Sequence, residues 1–320
     1  MDRVAWRIAV AVLAFCVVAS PDRAVAGDTV QERLGHPATA RLLVLHADDL
    51  GMSHSVNSAT FEALEKGWIT SASILVPCPW FPEVARFAQA HPGADLGIHL
   101  ALNSEWTPLR WGPVAGRSAV PSLLDTSGYL PLDSSEVVAN AKADEVEREL
   151  RAQIDMARRA GVRISHLDSH MGTLFQTATF IEVYRRVSRE YGVPALLPRD
   201  QGVGLPKGTP PPGPEALVDR ILGLDRAAPL GEWRAAYEKI LAPLRPGVYE
   251  LIVHLAHAGD EMQGATGDHP DWGAAWRQAD LDMVGSPEFQ RFLRDQGFVL
   301  VTWQQLAKAD GQKTAVPSLK

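Results

Sequence analysis

The chain has 320 residues, of which 46% are hydrophobic and 22% are charged, a composition typical of a globular protein with a full hydrophobic core. This length allows one large domain or two small ones. The formal net charge of −7 argues against nucleic acid or any other polyanion as a partner.

The first 26 residues have the pattern of a secretory signal peptide. Arg3 and Arg7 form a positive start, an apolar run follows over residues 8–19, and the Ala-Val-Ala sequence at 24–26 supplies small residues for cleavage. Because the run is shorter than the roughly 20 residues of a membrane span, we favour cleavage after Ala26 over an uncleaved N-terminal anchor. We therefore expect an exported protein, periplasmic or secreted, without a stable membrane span after cleavage.

Cleavage would leave Cys78 as the only cysteine, because Cys16 lies in the signal segment. A single cysteine forms no intrachain disulfide, and the neighbouring sequence supplies no base that would activate a thiol. We expect Cys78 to be a buried core residue, as free cysteines commonly are.

The elements that follow alternate between strands and helices in chain order. Residues 27–40 are predicted to form a mobile leader. Apolar runs and alternation predict strands over residues 41–46, 71–76, 95–102, 162–167, 194–197, 247–255 and 298–302. Helical spacing and stop signals predict helices over residues 56–66, 82–90, 135–160, 177–191, 216–224, 231–241, 287–296 and 302–308. Loops are predicted at residues 47–53, 107–130 and 201–215, and a C-terminal tail at residues 311–320.

The repeated order of strand and helix predicts an α/β protein whose strands form a parallel sheet, either closed or open. We assign residues 41–310 to one domain, since the Gly- and Pro-rich stretch at 201–215 is interpreted as a loop and not as a domain boundary. In parallel α/β folds the active site lies at the C-terminal ends of the strands, and most polar candidates in this sequence occupy that place.

The first candidate is the Asp48-Asp49 pair, which follows the predicted strand at residues 41–46. Two adjacent carboxylates repel each other, and burial penalises the charge on both. A divalent cation removes this cost by binding one carboxylate, and it leaves the other free to act as a base on water. The alternative is a helix N-cap pair or a solvated loop, which is the commoner role of a lone Asp-Asp.

Histidines and a further aspartate follow two later strands. In the strand at residues 95–102, alternation places His99 on the face opposite the apolar side chains, where a structural histidine is the alternative. His166, Asp168 and His170 share one face if the strand continues through them. Imidazole and carboxylate ligands together suit zinc, and a hydrolytic site keeps one position open for water. Asp168 can instead fix the orientation of a ligating histidine.

The last candidates are Glu250 and His254, which share a face of the strand at residues 247–255. A histidine at the end of this strand can serve as general acid to a leaving amine, and a structural or supporting histidine is the alternative. Each cluster alone is ambiguous, but four clusters of Asp and His at strand ends in one chain predict a metal-dependent hydrolase.

Four stretches of the chain resemble the YdjC-like carbohydrate deacetylase family, which includes chitooligosaccharide deacetylases and hopanoid-type deacetylases. His46 to Ser53 resembles the opening motif of that family, Asp95 to Leu102 the second, Ser165 to His170 the third and Glu250 to His254 the last. The stretches occur in the right order, and the resemblance covers most of the chain after Arg41. It implies a single-domain, irregular (β/α) barrel of the polysaccharide-deacetylase type.

The resemblance also implies roles for individual residues. Asp49, His99 and His170 would be the metal ligands, Asp48 the general base and His254 the general acid. Zinc is the favoured metal because two imidazoles and one carboxylate suit a transition metal, with magnesium or another transition metal as alternatives. Further residues that could support the ligands or contact the substrate are His166, Asp168, Glu250 and Trp106.

Two positions depart from the family pattern. Gly172 stands where the third motif often has a second histidine, and Leu255 stands where the last motif often has a proline. Both lie where substrate contacts and proton delivery would be set. We expect removal of an acetyl group from an N-acetylated sugar or oligosaccharide. The alternatives are hydrolysis of another amide or an ester on the same scaffold, and a non-catalytic sugar-binding protein.

Overall fold

The computed structural model describes residues 29–199, 206, 209, 217–224 and 228–311. Its strands are β1 (Arg41–Leu50), β2 (Ser71–Ile74), β3 (Leu96–Leu100), β4 (Ile164–Ser169), β5 (Arg220–Leu222), β6 (Gly247–Val253) and β7 (Phe298–Leu300). Its α-helices are α1 (Val30–Arg33), α2 (His54–Glu65), α3 (Phe81–Ala90), α4 (Ser134–Asn140), α5 (Ala143–Arg159), α6 (Ala178–Tyr191), α7 (Trp233–Leu241), α8 (Asp260–Thr266), α9 (Ala274–Gly285), α10 (Pro287–Asp295) and α11 (Trp303–Ala309).

The strands of the described residues form one parallel sheet in the order β4-β3-β2-β1-β6-β5, and β7 pairs with the start of β1. The sheet curls into a half-barrel within a single α/β domain. Helices α2 and α5 are among those that pack against it. The predicted single-domain α/β class with an irregular barrel is confirmed.

Strand β1 separates the hydrophobic core from the functional side chains. Leu45 belongs to the large apolar cluster, whereas Val44 packs with Trp303 of α11 in a second cluster. Because neighbouring strand residues point to opposite faces, His46 and Asp48 share the face of Val44. That inner face is therefore apolar where β1 begins and polar where it ends.

Two predicted elements near the site are wrong. The sequence predicts a helix over residues 216–224, whereas the described residues 217–224 contain β5, which pairs with β6. A short apolar run fits either element, and the pairing with β6 decides between them. Strand β1 extends to Leu50 and not only to His46, so the Asp48-Asp49 pair lies at the end of a strand and not in a loop.

Three further elements differ from prediction. The single helix predicted over residues 135–160 is divided into α4 and α5, because Ala141 is extended with ψ 133°. The predicted strand at 194–197 is a single bridge between Ala195 and Leu167. Helices α8 and α9 lie between β6 and α10, where the sequence patterns predict no element.

The described part of the predicted leader packs against the last helix. Val30 is buried, and Arg33 Nε donates a hydrogen bond to the carbonyl of Ala309 at 2.7 Å. The predicted signal peptide, most of the loop at 201–215 and the tail from residue 312 lie outside the described residues. Within the described residues, no helix has both the length and the apolar character needed to cross a membrane.

Candidate active site

Most of the predicted site residues line one cavity of about 420 Å³ at the C-terminal ends of the strands. Two of the nine, His166 and Glu250, are not among the described residues that line it. The seven that do line it are Asp48, Asp49, His99, Trp106, Asp168, His170 and His254.

Asp49, His99 and His170 place one potential ligand atom each around a common point. Asp49 Oδ1 lies 3.6 Å from His99 Nε2 and 3.4 Å from His170 Nδ1. Ligand atoms about 2.1 Å from a tetrahedral zinc ion are about 3.4 Å from one another, so this spacing fits such an ion. All three side chains are buried, and Asp49 Oδ1 accepts no hydrogen bond from the described residues, which leaves it available to a cation.

The backbone at Asp49 explains how two consecutive aspartates line the same cavity. Neighbouring side chains of a regular strand point to opposite faces. Asp49 has φ 65°, a left-handed conformation that is uncommon for a residue with a side chain, and this turn directs Asp49 toward the cavity that Asp48 also lines. The Gly51 amide then donates to Asn57 Oδ1 at 2.7 Å and holds the chain where it leaves the turn.

A carboxylate contacts the far nitrogen of each ligand histidine. His99 Nδ1 donates to Asp168 Oδ1 at 2.8 Å, and His170 Nε2 donates to Glu105 Oε2 at 2.8 Å. Such pairs fix the imidazole tautomer that leaves the near nitrogen free to bind a cation. Glu105 is absent from the predicted site because it lies 65 residues from His170 in the chain and carries no local sequence signal.

Burial disfavours the charged forms of these histidines and carboxylates, but neighbouring groups of opposite charge favour them more strongly. Without a bound cation, the carboxylates of Glu105 and Asp49 raise the pKa of His170 to about 10. His99 and His46 hold the pKa of Asp168 far below its usual range. The centre therefore combines ionised carboxylates with imidazoles that carry protons a cation can displace.

Arg277 of α9 is a site residue that the sequence patterns did not predict. Its Nη2 donates to Asp49 Oδ2 at 2.7 Å, and both side chains are 3% exposed. Burial works against the charge of Asp49, yet the guanidinium and the imidazole of His170 hold the pKa of this carboxyl well below its usual range. The helical spacing of the sequence could have revealed Arg277 as a site residue. Arg277 and Asp280 are two charged residues on the buried stripe of α9 that continues to Leu281 and Val284.

Asp48 and His254 lie next to each other at the ends of the paired strands β1 and β6. Asp48 Oδ2 lies 3.8 Å from His254 Nε2 and 3.7 Å from His99 Nε2. The His254 side chain is 26% exposed, and burial lowers its pKa to about 4. Its amide donates to Asp280 Oδ2 at 2.8 Å, which fixes the backbone at the end of β6.

His166 lies below the cavity, inside the half-barrel. Its ring stacks on Trp303 with centroids 4.8 Å apart, and its Nδ1 lies 2.8 Å from Ser165 Oγ. Gly97 on β3 makes room for it, since a Cβ there would lie 2.3 Å from His166 Cε1. Of the two histidines in the third motif, His170 is therefore the one that faces Asp49.

Glu250 also lies below the cavity and is fully buried. Its Oε1 lies 3.7 Å from His46 Nδ1, and burial raises its pKa to about 8. Trp106, in contrast, lines the cavity, and its ring packs edge-on against Trp272 with centroids 5.9 Å apart. Trp272 and Trp276 line the same cavity, so one wall of it is aromatic.

The half-barrel and the Asp-His-His cluster define an α/β protein with a candidate metal centre at the C-terminal edge of its sheet. The family described as YdjC-like protein matches residues 42–295, which is most of the chain. This chain therefore belongs to the YdjC-like family, as the motifs imply.

The chain is similar to a carbohydrate deacetylase of Thermus thermophilus, with 35% identity over 288 residues that cover 87% of this chain and 98% of the relative. A carbohydrate deacetylase of Brevibacillus brevis is 28% identical over 273 residues, which cover 82% of this chain and 99% of the relative. A crystal structure from Enterococcus faecalis V583, described as a candidate cellobiose-phosphate cleavage protein, shares the fold with a TM-score of 0.69. It is 24% identical, and the match covers 84% of this chain and 99% of that one.

Proposed function

We propose that this protein is an exported, metal-dependent carbohydrate deacetylase that removes the acetyl group of an N-acetylated sugar or oligosaccharide. Its family membership and relatives that are named carbohydrate deacetylases support the sugar deacetylase activity. The observation that carries the metal dependence is the buried Asp49-His99-His170 cluster, whose ligand spacing fits a tetrahedral ion.

The donor set favours zinc among divalent cations, because two imidazoles and one carboxylate suit a borderline-soft transition metal better than magnesium. When bound, such an ion would polarise the acetyl carbonyl and make a nearby water more acidic. Asp168 and Glu105 hold His99 and His170 in the tautomers that this role requires.

In the proposed reaction, Asp48 and His254 move the proton. Asp48 Oδ2 faces the cavity and can take a proton from the attacking water. His254 Nε2 lies 3.8 Å from the same oxygen, and its pKa near 4 means that the imidazole is neutral at pH 7. In the proposed reaction, neutral His254 passes to the leaving nitrogen the proton that Asp48 takes from water.

The aromatic wall supports a sugar as substrate. Trp106, Trp272 and Trp276 line the cavity beside the proposed catalytic groups. The flat faces of indole rings pack well against the apolar faces of sugar rings, while their N–H groups can donate to hydroxyls.

Acetate release from the purified protein tests the proposal. We expect release from N-acetylglucosamine oligomers when zinc is present, and loss of release in a chelator. Asp49→Ala should lose both metal binding and turnover, whereas Asp48→Asn should bind the metal and lose turnover. Metal binding and full turnover in Asp49→Ala would contradict the proposal.

The same panel separates the alternatives. An O-acetylated sugar and an N-acetylated peptide, tested beside the N-acetylated sugars, distinguish a deacetylase of sugars from a hydrolase of other esters or amides. A protein that binds the sugars but binds no metal, and is not activated by one, would be a sugar-binding protein.

The proposal of export depends on residues 1–26 and is tested by N-terminal sequencing. Protein recovered from the periplasm or the medium should begin at Gly27. Protein that retains Met1 and sediments with the membrane would instead be anchored.

A further inference from the structure

His46 lies directly beneath the proposed catalytic groups and is completely buried. It is on the same face of β1 as Asp48, two residues earlier, but it is not among the described residues that line the cavity. It would therefore touch neither a substrate in the cavity nor an ion held by Asp49, His99 and His170, although it contacts Asp48 and Asp168, which line the cavity.

The Nε2 atom of His46 lies among three oxygen atoms. It is 3.1 Å from Asp48 Oδ1, 3.3 Å from Asp168 Oδ2 and 3.0 Å from Ser73 Oγ. Since both carboxylates can only accept, Nε2 carries the proton in this arrangement. One N–H is thus shared between the proposed base and the carboxylate that orients the ligand His99.

The two carboxylate oxygens of Asp48 have different neighbours. Oδ1 faces inward to His46 Nε2, and Ser73 Oγ donates to it at 3.4 Å. Oδ2 faces outward, 3.8 Å from His254 Nε2. A carboxylate held by one oxygen has its rotation fixed, so the other oxygen stays directed at the position where water must be deprotonated.

We propose that His46 is a positioning residue that fixes the rotation of the Asp48 carboxylate and joins it, through Asp168, to the ligand His99. The catalytic importance of this contact rests on the proposed function, whereas the contact itself does not. Asp48 and Asp168 belong to β1 and β4, which do not pair with each other, so the imidazole is the bridge that keeps their carboxylates in register.

Two amide substitutions of His46 distinguish a positioning role from the effect of burying a polar side chain. In His46→Gln the side-chain amide reaches the position of Nε2 and can still donate to Asp48. In His46→Asn the same amide reaches only the position of Nδ1, beside Glu250 and away from both aspartates. The two variants bury the same polar group, so each is the matched control for the other.

We expect His46→Gln to retain kcat within about fivefold and His46→Asn to lose roughly 100-fold, the cost of a misplacement of about 1 Å. KM and the binding of one equivalent of zinc should change little in either variant. Crystal structures should show the Asp48 carboxylate rotated in His46→Asn and unmoved in His46→Gln, a readout that stands whether or not the protein deacetylates sugars.

Three results would overturn the role of His46. They are a His46→Asn variant with wild-type kcat, equal losses in both variants, and an unrotated Asp48 carboxylate in His46→Asn. A second bound metal equivalent that both variants lose would also overturn it, by making His46 a ligand. If His46→Asn does not fold, Ser73→Ala keeps the imidazole and removes the second donor to Asp48 Oδ1. It should lower kcat several-fold at constant KM, and an unchanged kcat there would count against the proposal.

Discussion

Replacing Asp168 by Asn should weaken metal binding without removing any ligand. Asp168 Oδ1 accepts from His99 Nδ1 at 2.8 Å, and Oδ2 lies 3.3 Å from His46 Nε2. A carboxylate serves both imidazoles as an acceptor, whereas an amide offers one acceptor and one donor. In Asp168→Asn one of the two imidazoles must therefore face an N–H group and adopt the wrong tautomer or turn away.

The expected loss of zinc affinity in Asp168→Asn follows from this conflict. Removal of a partner that orients a metal ligand typically costs 10- to 100-fold in metal affinity. That range corresponds to about 1.4 to 2.7 kcal/mol of binding free energy. We expect the zinc Kd of Asp168→Asn to rise within this range, because an amide keeps the shape of the carboxyl group and loses only the second acceptor.

A competition titration against a chromophoric zinc chelator measures the change in Kd. Asp95→Asn is the matched control, since Asp95 is also buried and also on the sheet but contacts Ser71 and Gln304 away from the cluster. It should leave the zinc Kd within about twofold of wild type. A folded Asp168→Asn protein that binds zinc as tightly as wild type would refute the role assigned to Asp168.

Four other outcomes follow from the geometry. Without a cation the pKa of His170 is about 10, above the 6.5 of the free side chain, so zinc uptake at pH 8 should release about one proton, measured by calorimetry in two buffers. The same raised pKa stabilises the cation-free fold below pH 6.5, and this contribution is lost as the pH rises toward 10. Gly97→Ala should lower Tm by roughly 2 to 12 °C through its clash with His166. Arg277→Met should destabilise the chelator-treated protein by about 3 kcal/mol and the zinc-loaded protein by less, because zinc also neutralises Asp49.

The outcomes for zinc uptake, Gly97 and Arg277 each have a result that contradicts them. Zinc uptake with no proton release would mean that His170 is already neutral. In the control variant Gly93→Ala, nothing lies within 4 Å of the added Cβ, so the Tm should stay at the wild-type value. An equal fall in Tm in both variants would mean that replacing any glycine lowers the Tm, and that the clash with His166 is not the cause. Equal destabilisation of Arg277→Met with and without zinc would show that the guanidinium and the cation do not share a carboxylate.

The features that the sequence predicts best are those that depend on the local pattern of apolar and polar residues. The inward face of β3 follows from alternation, and so the orientation of His99 follows from the amino-acid order alone. Strand β1 differs, because Leu42 to Leu45 form a continuous apolar run that does not indicate which face His46 occupies. Asp49 could not be oriented in this way, because its side chain reaches the cavity through a positive φ that no pattern of apolar residues predicts.

Contacts between distant parts of the chain were the hardest to predict. Glu105 meets His170 across 65 residues, and Arg277 meets Asp49 across 228. Both depend on how loops and α9 return to the open edge of the sheet, which is set by the curl of the half-barrel. His166 and His170 belong to one sequence motif, but β4 ends at Ser169, and only His170 lies past that end, at the height of the cavity.

The dependence of acetate release on bound zinc tests the central claim most directly. Chelator-treated protein should release no acetate from an N-acetylated sugar, and release should rise in proportion to added zinc up to one equivalent per chain. Asp49→Ala should show neither the binding nor the rise. Full acetate release from metal-free protein, or a rise that persists in Asp49→Ala, would contradict a catalytic metal at Asp49, His99 and His170.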